Sequence, residues 1–540
     1  MIKMSKSVLG ATGCSLQISV LIWYLFAALS SGAAQEAAPS KPMIGWVPRE
    51  ILERPVTLRS GIGIVHDKTS SASPQAQAFY EQGLAYLNSY VWIEAARSFN
   101  QALRLDPSLA MAYLGLSDAY IGLQDVGAAE AAFEQANALS EKVSDRERRW
   151  IVIRARYFEF LANSGDMQKY FAYRQAIGDA LTANPNDSLL WVLRGFADEG
   201  TPIAHGQNGG VDTVAFYEAA IANAPDSFVG HHYLAHTLEN IGPMDQAMEQ
   251  SALYARMAPA IPHAHHMHGH ELMHMGHTEE AIAEFRKADD LENAYYKAEN
   301  IPAVLDWHHA HNLQLLAMSY ESLGQVRLAE ENYRQAFSLP AYSDLADYNR
   351  KAWPEFLLSR GRPQAAFDAA QSLIQSHWSL AEFAGHAAAG RALLALGKTA
   401  EAKKQLALAE RRIQSAPTGT ADRFPDAQAL RAEILLYEKN WDDGNTLMNQ
   451  VEQKLEALPG PDAWGSTTFE LDWISQVARQ LGDWQLAEST ARKMIAHDPS
   501  YGGGFHALGL VLQHKGDPAS GQQFAIAKKL WSRADSGILQ

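Results

Sequence analysis

The sequence predicts an all-α superhelical solenoid built from helix–turn–helix repeats. Three observations carry that. Small residues and aromatics return at a spacing of 34 residues, as Ala95, Phe99 and Ala102 do at Ala129, Phe133 and Ala136. Apolar residues recur at helical spacing between short Gly- and Pro-marked turns. No segment shows the sustained alternation of a half-buried strand. A repeat of this length cannot bury its own apolar face, so neighbours must stack into a continuous core.

In chain order, residues 1–34 read as a secretory leader. Lys3 and Lys6 precede an apolar run over residues 18–29, and the small residues Ser30, Ser31, Gly32, Ala33 and Ala34 follow. This is the charged, apolar, small-residue order of a cleaved signal, so the chain is expected to be exported to the periplasm or cell envelope. The mature chain holds no apolar stretch approaching the roughly 18–20 residues of a membrane span. Residues 35–73, rich in Pro, Gly and Ser, read as a linker or extended arm, with His66 a solvated loop histidine. Residues 74–340 form an N-terminal repeat solenoid with a histidine-rich groove, and residues 341–540 further helical repeats. Within the first of these, 292–306 reads as an insertion with a tyrosine pair, and 205–210 as a glycine-rich loop. Phe99, Phe133, Phe285 and Tyr333 are expected in the core.

The net charge of -16 argues against a phosphate backbone as partner, which would need a basic surface. Cys14, the only cysteine, lies in the leader. The mature chain therefore has neither disulfide nor thiolate site, and any metal must be held by imidazole, carboxylate, carbonyl or water.

Of the 20 histidines, ten fall in residues 229–277, and His308, His309 and His311 follow soon after. They are arranged. His232 and His266 are 34 residues apart, as are His236 and His270, so each pair occupies one place on the first helices of adjacent repeats. His263 and His311 share a third place, each eighteen residues before its repeat's marker alanine. His263, His266, His270, His274 and His277 form one helical stripe. An i, i+4 histidine pair can hold a metal from one helix face. His232, His236, His266 and His270 are thus the expected principal ligands, with His263 and His311 as closers and Glu239 and His274 behind them. Imidazole suits zinc, copper, iron or nickel. His231 and His265 fall where the repeat packs and read as structural; His308 and His309 are unassigned. No phosphate loop, nucleophile elbow or prominent catalytic carboxylate pair is present.

The run AQAFYEQGLAYL, then EAARSF and LDPSLAMAYLGL, resembles the N-terminal repeat of a group of bacterial exported tetratricopeptide repeat proteins with histidine-rich repeats. His232-Tyr233-Leu234-Ala235-His236, His263 through His270, and His311-Asn312 resemble their later repeats. The likeness covers most of residues 60–340. It implies a tetratricopeptide solenoid whose first-helix histidines face a concave ligand groove. Two places depart from that pattern: Tyr90-Val91-Trp92-Ile93 and Asp226-Ser227 stand where those proteins often carry histidine. The reading that follows is a groove that binds a protein or peptide ligand together with a divalent transition metal. A metal-free interaction scaffold and a metal-dependent enzyme stay open beside it, since fold alone does not establish function.

Overall fold

The computed structural model describes residues 47–163, 165–199, 207–416 and 419–537. The leader lies outside them, as do His205 and Gly206 of the glycine-rich loop. The described chain is a tetratricopeptide superhelix without strands. Antiparallel helix pairs follow one another, beginning with Pro74–Leu87 against Trp92–Leu105 and Ala110–Gly122 against Val126–Ala138. Three consecutive pairs carry the histidines: Val229–Ile241 with Met244–Met257, Pro262–His274 with Thr278–Glu299, and Trp307–Ser322 with Val326–Ser338. The last pairs are Pro461–Leu481 with Trp484–His497 and Gly502–His514 with Ser520–Leu530. Among the described residues, no helix is long and apolar enough to cross a membrane.

The stacking rests on an aromatic ring wedged between glycines. A Cβ on Gly83 would lie 2.5 Å from Phe99, and one on Gly115, in the next repeat, 2.4 Å from the same ring. Gly195 with Tyr217, Gly269 with Phe285 and Gly509 with Phe524 repeat the contact at 2.5 to 2.7 Å. Phe99, Phe285 and the marker alanines Ala95, Ala129, Ala247, Ala281 and Ala329 are completely buried, and Tyr333 nearly so. Phe133 departs from the core expectation. It is only half-buried, packed on Phe158 at 5.2 Å between centroids. The positions sixteen residues to either side of it, which are glycines around Phe99, are Ser117 and Arg149. Neither leaves room for the ring.

Residues 47–73 form an extended arm packed along the solenoid. Val47, Ile51, Leu52, Ile62 and Val65 join the core, and the Gly61 carbonyl accepts from Ala260 N–H at 2.7 Å. Gly63 has φ 85° and sits against Phe228, where a Cβ would lie 2.2 Å from the ring. His66 is exposed, as the sequence suggests. Most of the insertion at 292–306 is extra turns of helix, because Thr278–Glu299 continues past the repeat length and stops at left-handed Asn300. That extension reaches the first repeat: Tyr295 donates to Glu94 at 2.9 Å, and Arg97 pairs with Glu299 at 2.9 Å. Trp92 stacks on Trp307 at 5.2 Å.

The C-terminal repeats close back over the groove. Helix Pro461–Leu481 approaches Met318 through Gly465, where a Cβ would lie 2.4 Å away. Trp531 donates to the Ser322 carbonyl at 2.9 Å. A cavity of about 450 Å³ remains between the halves. One wall carries His236, His263, His266, His270 and His311; the other carries Trp353, Phe356, Arg391, Glu470 and Trp473. Arg391 is buried and pairs with Glu433 and Glu470. Burial pushes the Glu433 carboxyl up to about 7, although Arg391 pulls the other way.

Two outcomes are expected. Gly115→Ala drives a methyl into Phe99 and should cost about 1–3 kcal/mol, the usual range for overpacking, read as a lowered melting temperature. For Glu433, the folded carboxyl holds its proton where the unfolded one has released it. Its contribution to stability therefore falls as pH rises from about 4.3, the ordinary carboxyl value, and levels off above the folded value. Urea unfolding at pH 5 and pH 8 should show wild type losing ground to Glu433→Gln at the higher pH. A difference independent of pH would refute this.

Candidate metal centre

The three histidine-bearing first helices lie side by side, and their groove faces converge. His232 and His266 are completely buried, and His236, His263, His270 and His308 nearly so. His311, about a quarter exposed, sits at the cavity edge. The donor atoms sort into groups lying within 4.8 Å of one another: His232, His236 and His263; His266, His270 and His311; and, between them, His263, His266 and His308.

Hydrogen bonds behind the rings fix their tautomers. His232 Nδ1 is 2.7 Å from the Asn88 carbonyl, which can only accept, so Nδ1 carries the proton and Nε2 is a bare lone pair. Asn312 donates its Nδ2 to the Phe285 carbonyl at 2.9 Å, which turns its Oδ1 toward His266 Nδ1 at 3.0 Å. His266 Nε2 is therefore bare as well. His308 Nδ1 donates to Glu292, and its Nε2 is buried without a hydrogen-bond partner. Backbone carbonyl, amide and carboxylate each play the part of the outer partner that orients a metal-ligating imidazole.

The bare nitrogens face other imidazoles. His232 Nε2 is 3.1 Å from His263 Nε2, and His266 Nε2 is 2.8 Å from His270 Nε2. His236 Nε2, His263 Nδ1 and His270 Nδ1 have no hydrogen-bond partner despite burial. Buried polar atoms without partners are rare and call for an explanation. Burial, and then the neighbouring imidazoles, hold His232, His263, His266 and His270 well below the ordinary histidine value; burial takes His236 down to about 3. All are neutral at physiological pH, the form that ligates metal.

The carboxylates divide by role. Glu292 accepts from both His308 and, at 2.8 Å, His309, and despite burial these imidazoles hold its carboxyl below the ordinary range. Asp289, Glu292 and His309 could also group around a cation, but Glu292 is engaged by the two histidines. Glu239 Oε1 lies 3.4 Å from His270 Nδ1. Asp462, from the closing helix, lies 3.8 Å from His311 Nδ1. Glu271, off the stripe as its spacing implies, is completely buried with both oxygens unpartnered.

The partnering differs from the one the 34-residue spacing suggests. His232 and His236 meet His263, not their repeat equivalents His266 and His270. Equivalent places on stacked helices are a full helix separation apart, about 8–10 Å, while a residue one turn nearer the helix start closes that gap. His263 and His311 are accordingly members of the two groups rather than closers of one. His274 lies outside both, stacked on Trp464 at 4.5 Å.

Other histidines pack. His231, His265 and His386 each place Nδ1 on a side chain nineteen residues on, Gln250, Glu284 and Gln405, at 2.6 to 2.7 Å. That is a tie from first helix to second within one repeat. Sequence reasoning left His308 unassigned; its place one turn before His311 was the available signal. Tyr90 was read only as a departure. It has φ 58° and sets its ring 4.9 Å from His232 and 5.0 Å from His263. The first-repeat turn thus lids the first group with a phenol.

Residues 110–143, 262–295 and 310–343 match the tetratricopeptide repeat model. The second takes in the whole helix Pro262–His274, and the third begins at Ala310, inside helix Trp307–Ser322, and includes His311 but not His308. No curated protein matches the chain. Among solved structures, the human IFIT1 dimer with PPP-AAAA is similar at 11% identity, covering 86% of this chain and 92% of that one, with a TM-score of 0.35. Yeast Tom70 is similar at 14% identity, covering 84% and 92%, with a TM-score of 0.30.

Proposed function

We propose that the groove binds a ligand next to a divalent transition metal, zinc, copper or iron, held by the histidines at its end. The observation that carries this is the set of bare Nε2 atoms of His232, His266 and His308, fixed by their outer hydrogen bonds and aimed into one buried cluster. His263 and His270 can donate Nε2–H to His232 and His266, but that leaves His263 Nδ1 and His270 Nδ1 buried without partners, alongside His236 Nε2 and His308 Nε2, a set of unsatisfied ring nitrogens that is costly in a low-dielectric site. A bound metal there would supply a Lewis acid with coordination positions facing the cavity. The cavity's size falls within the usual range of small-ligand pockets, and its Trp353 and Phe356 wall with Arg391 favours an organic ligand with apolar surface. A metal-free peptide scaffold, the common use of this fold, is the second reading; the same apolar wall is what favours it.

Calorimetric titration of tag-free, chelator-stripped protein with zinc and copper tests the metal. Wild type should bind tightly, and saturating metal should raise the melting temperature by mass action. His266→Ala should weaken binding at least about tenfold, as loss of even an outer partner costs about 10–100-fold. His386→Ala, in a later repeat where the ring contacts Gln405 and Glu382, should leave affinity unchanged. Equal, weak binding by wild type and His266→Ala would leave the peptide scaffold as the answer.

Export belongs to the same proposal, supported by the leader pattern of residues 1–34. N-terminal sequencing of envelope-fraction protein should begin near Gln35; an intact Met1 in a cytosolic product would contradict it.

A further inference from the structure

We infer that the centre is built for two metal ions rather than one, with His232, His236 and His263 on the first and His266, His270 and His311 on the second. This rests on the metal reading above and sharpens it. The first argument is capacity. A zinc or copper ion held by imidazole takes about four donors at about 2.0–2.1 Å, so its ligand atoms lie within about 4.2 Å of one another. The cluster contains seven imidazoles. An ion held by one group would leave the other group's nitrogens buried without partners.

The second argument is that both groups carry the marks of ligation independently. In the first, the Asn88 carbonyl fixes His232 while His236 Nε2 and His263 Nδ1 are unpartnered. In the second, Asn312 Oδ1 stands 3.0 Å from His266 Nδ1 and turns His266 Nε2 inward, while His270 Nδ1 is buried without a hydrogen-bond partner. Carboxylates from two further helices lie near the other rings, Glu239 Oε1 3.4 Å from His270 Nδ1 and Asp462 Oδ2 3.8 Å from His311 Nδ1.

His308 joins the two. Its Nε2 is unpartnered, and its donors lie within 4.8 Å of those of His263, a member of the first group, and His266, a member of the second. The rings of His263 and His266 are 5.7 Å apart. The two positions are therefore nearest neighbours. Carboxyl groups stand close by: Glu292 behind His308, Glu239 and Asp462 beside the second group. His236, His263, His266, His270 and His311 all border the cavity, so a ligand in it would meet both ions.

Metal content per chain decides the matter, read by elemental analysis after loading stripped, tag-free, full-length protein with zinc or copper(II) and removing excess. Wild type should hold two ions, and His236→Ala and His311→Ala one each. The combined variant should hold none. Copper(II)-loaded wild type should show an electron paramagnetic resonance signal broadened by dipolar coupling between neighbouring ions; His311→Ala should show one isolated spin. His311 sits at the cavity edge, so this variant should fold, as circular dichroism would verify. One ion in wild type, lost in both single variants, overturns the two-ion inference and leaves the single-metal proposal intact. No ion in wild type overturns both. Two ions retained by both single variants would place them elsewhere and overturn the assignment.

Discussion

The seating of one aromatic ring between two glycines is the constraint from which the rest of this molecule follows. With Phe99 held by Gly83 and Gly115, two repeats approach as closely as backbones allow. Dense interiors forfeit contact energy at any gap, so this fit sets both the separation of successive first helices and their rotation. Phe285 connects the constraint to the chemistry. It is seated on Gly269, and the same ring lies 5.6 Å from His266 and 6.0 Å from His270. Its backbone carbonyl also accepts from Asn312, the residue that fixes the tautomer of His266. Packing between repeats and orientation of the donors are thus one arrangement.

Burial then determines the state of the histidines. Removed from water, an imidazole resists protonation, and each neighbour that might become a cation adds to that resistance. The result is a cluster that is neutral by construction, with carboxylates only in the outer positions. Glu292 shows the contrast. It too is buried, but two imidazole N–H groups hold it ionised. Glu239, whose one close imidazole contact is long, is driven well above the ordinary carboxyl value by burial and then by Asp462. Under the same burial a carboxyl's pKa is therefore lowered where imidazole donors are supplied and raised where they are not.

Local periodicity made the fold legible. Ala95, Phe99, Ala102 and their successors at 34 residues recur because each repeat solves the same packing problem. The glycine wedge explains where that reading holds and where it weakens, as at Phe133 between Ser117 and Arg149. The candidate site was legible as a set of residues and less so as a geometry. Equal register places His232 and His266 on the same face, but the stagger of stacked helices decides which rings touch, and that selects His263 for His232. His231, His265 and His386 could be separated from the donors only through their shared tie nineteen residues on, a pattern visible in sequence once the second-helix partner is known. Asn88, Tyr90 and Asp462 were beyond sequence reasoning altogether. They come from the first repeat and from a helix some 150 residues beyond the histidine cluster, and only the curl of the superhelix brings them together.

That curl also limits what the groove can accept. In an open solenoid the concave face is a long channel suited to an extended or helical partner segment. Here helix Pro461–Leu481 lies across the histidine face through Gly465 and Met318, with Trp464 stacked between His274 and His497. The arm at residues 47–73 and the long helix Thr278–Glu299 brace the first repeat against the second histidine repeat. What is left is a bounded chamber of about 450 Å³ with imidazoles on one side and indole, phenyl and guanidinium groups on the other. A chamber of that volume admits a compact organic molecule or a few residues of a peptide, and its walls favour a ligand that is apolar toward Trp353 and Phe356 and polar toward the histidines. The fold that elsewhere serves as an extended binding surface is in this chain folded back on itself, and the histidines lie at the inner end of what that closure encloses.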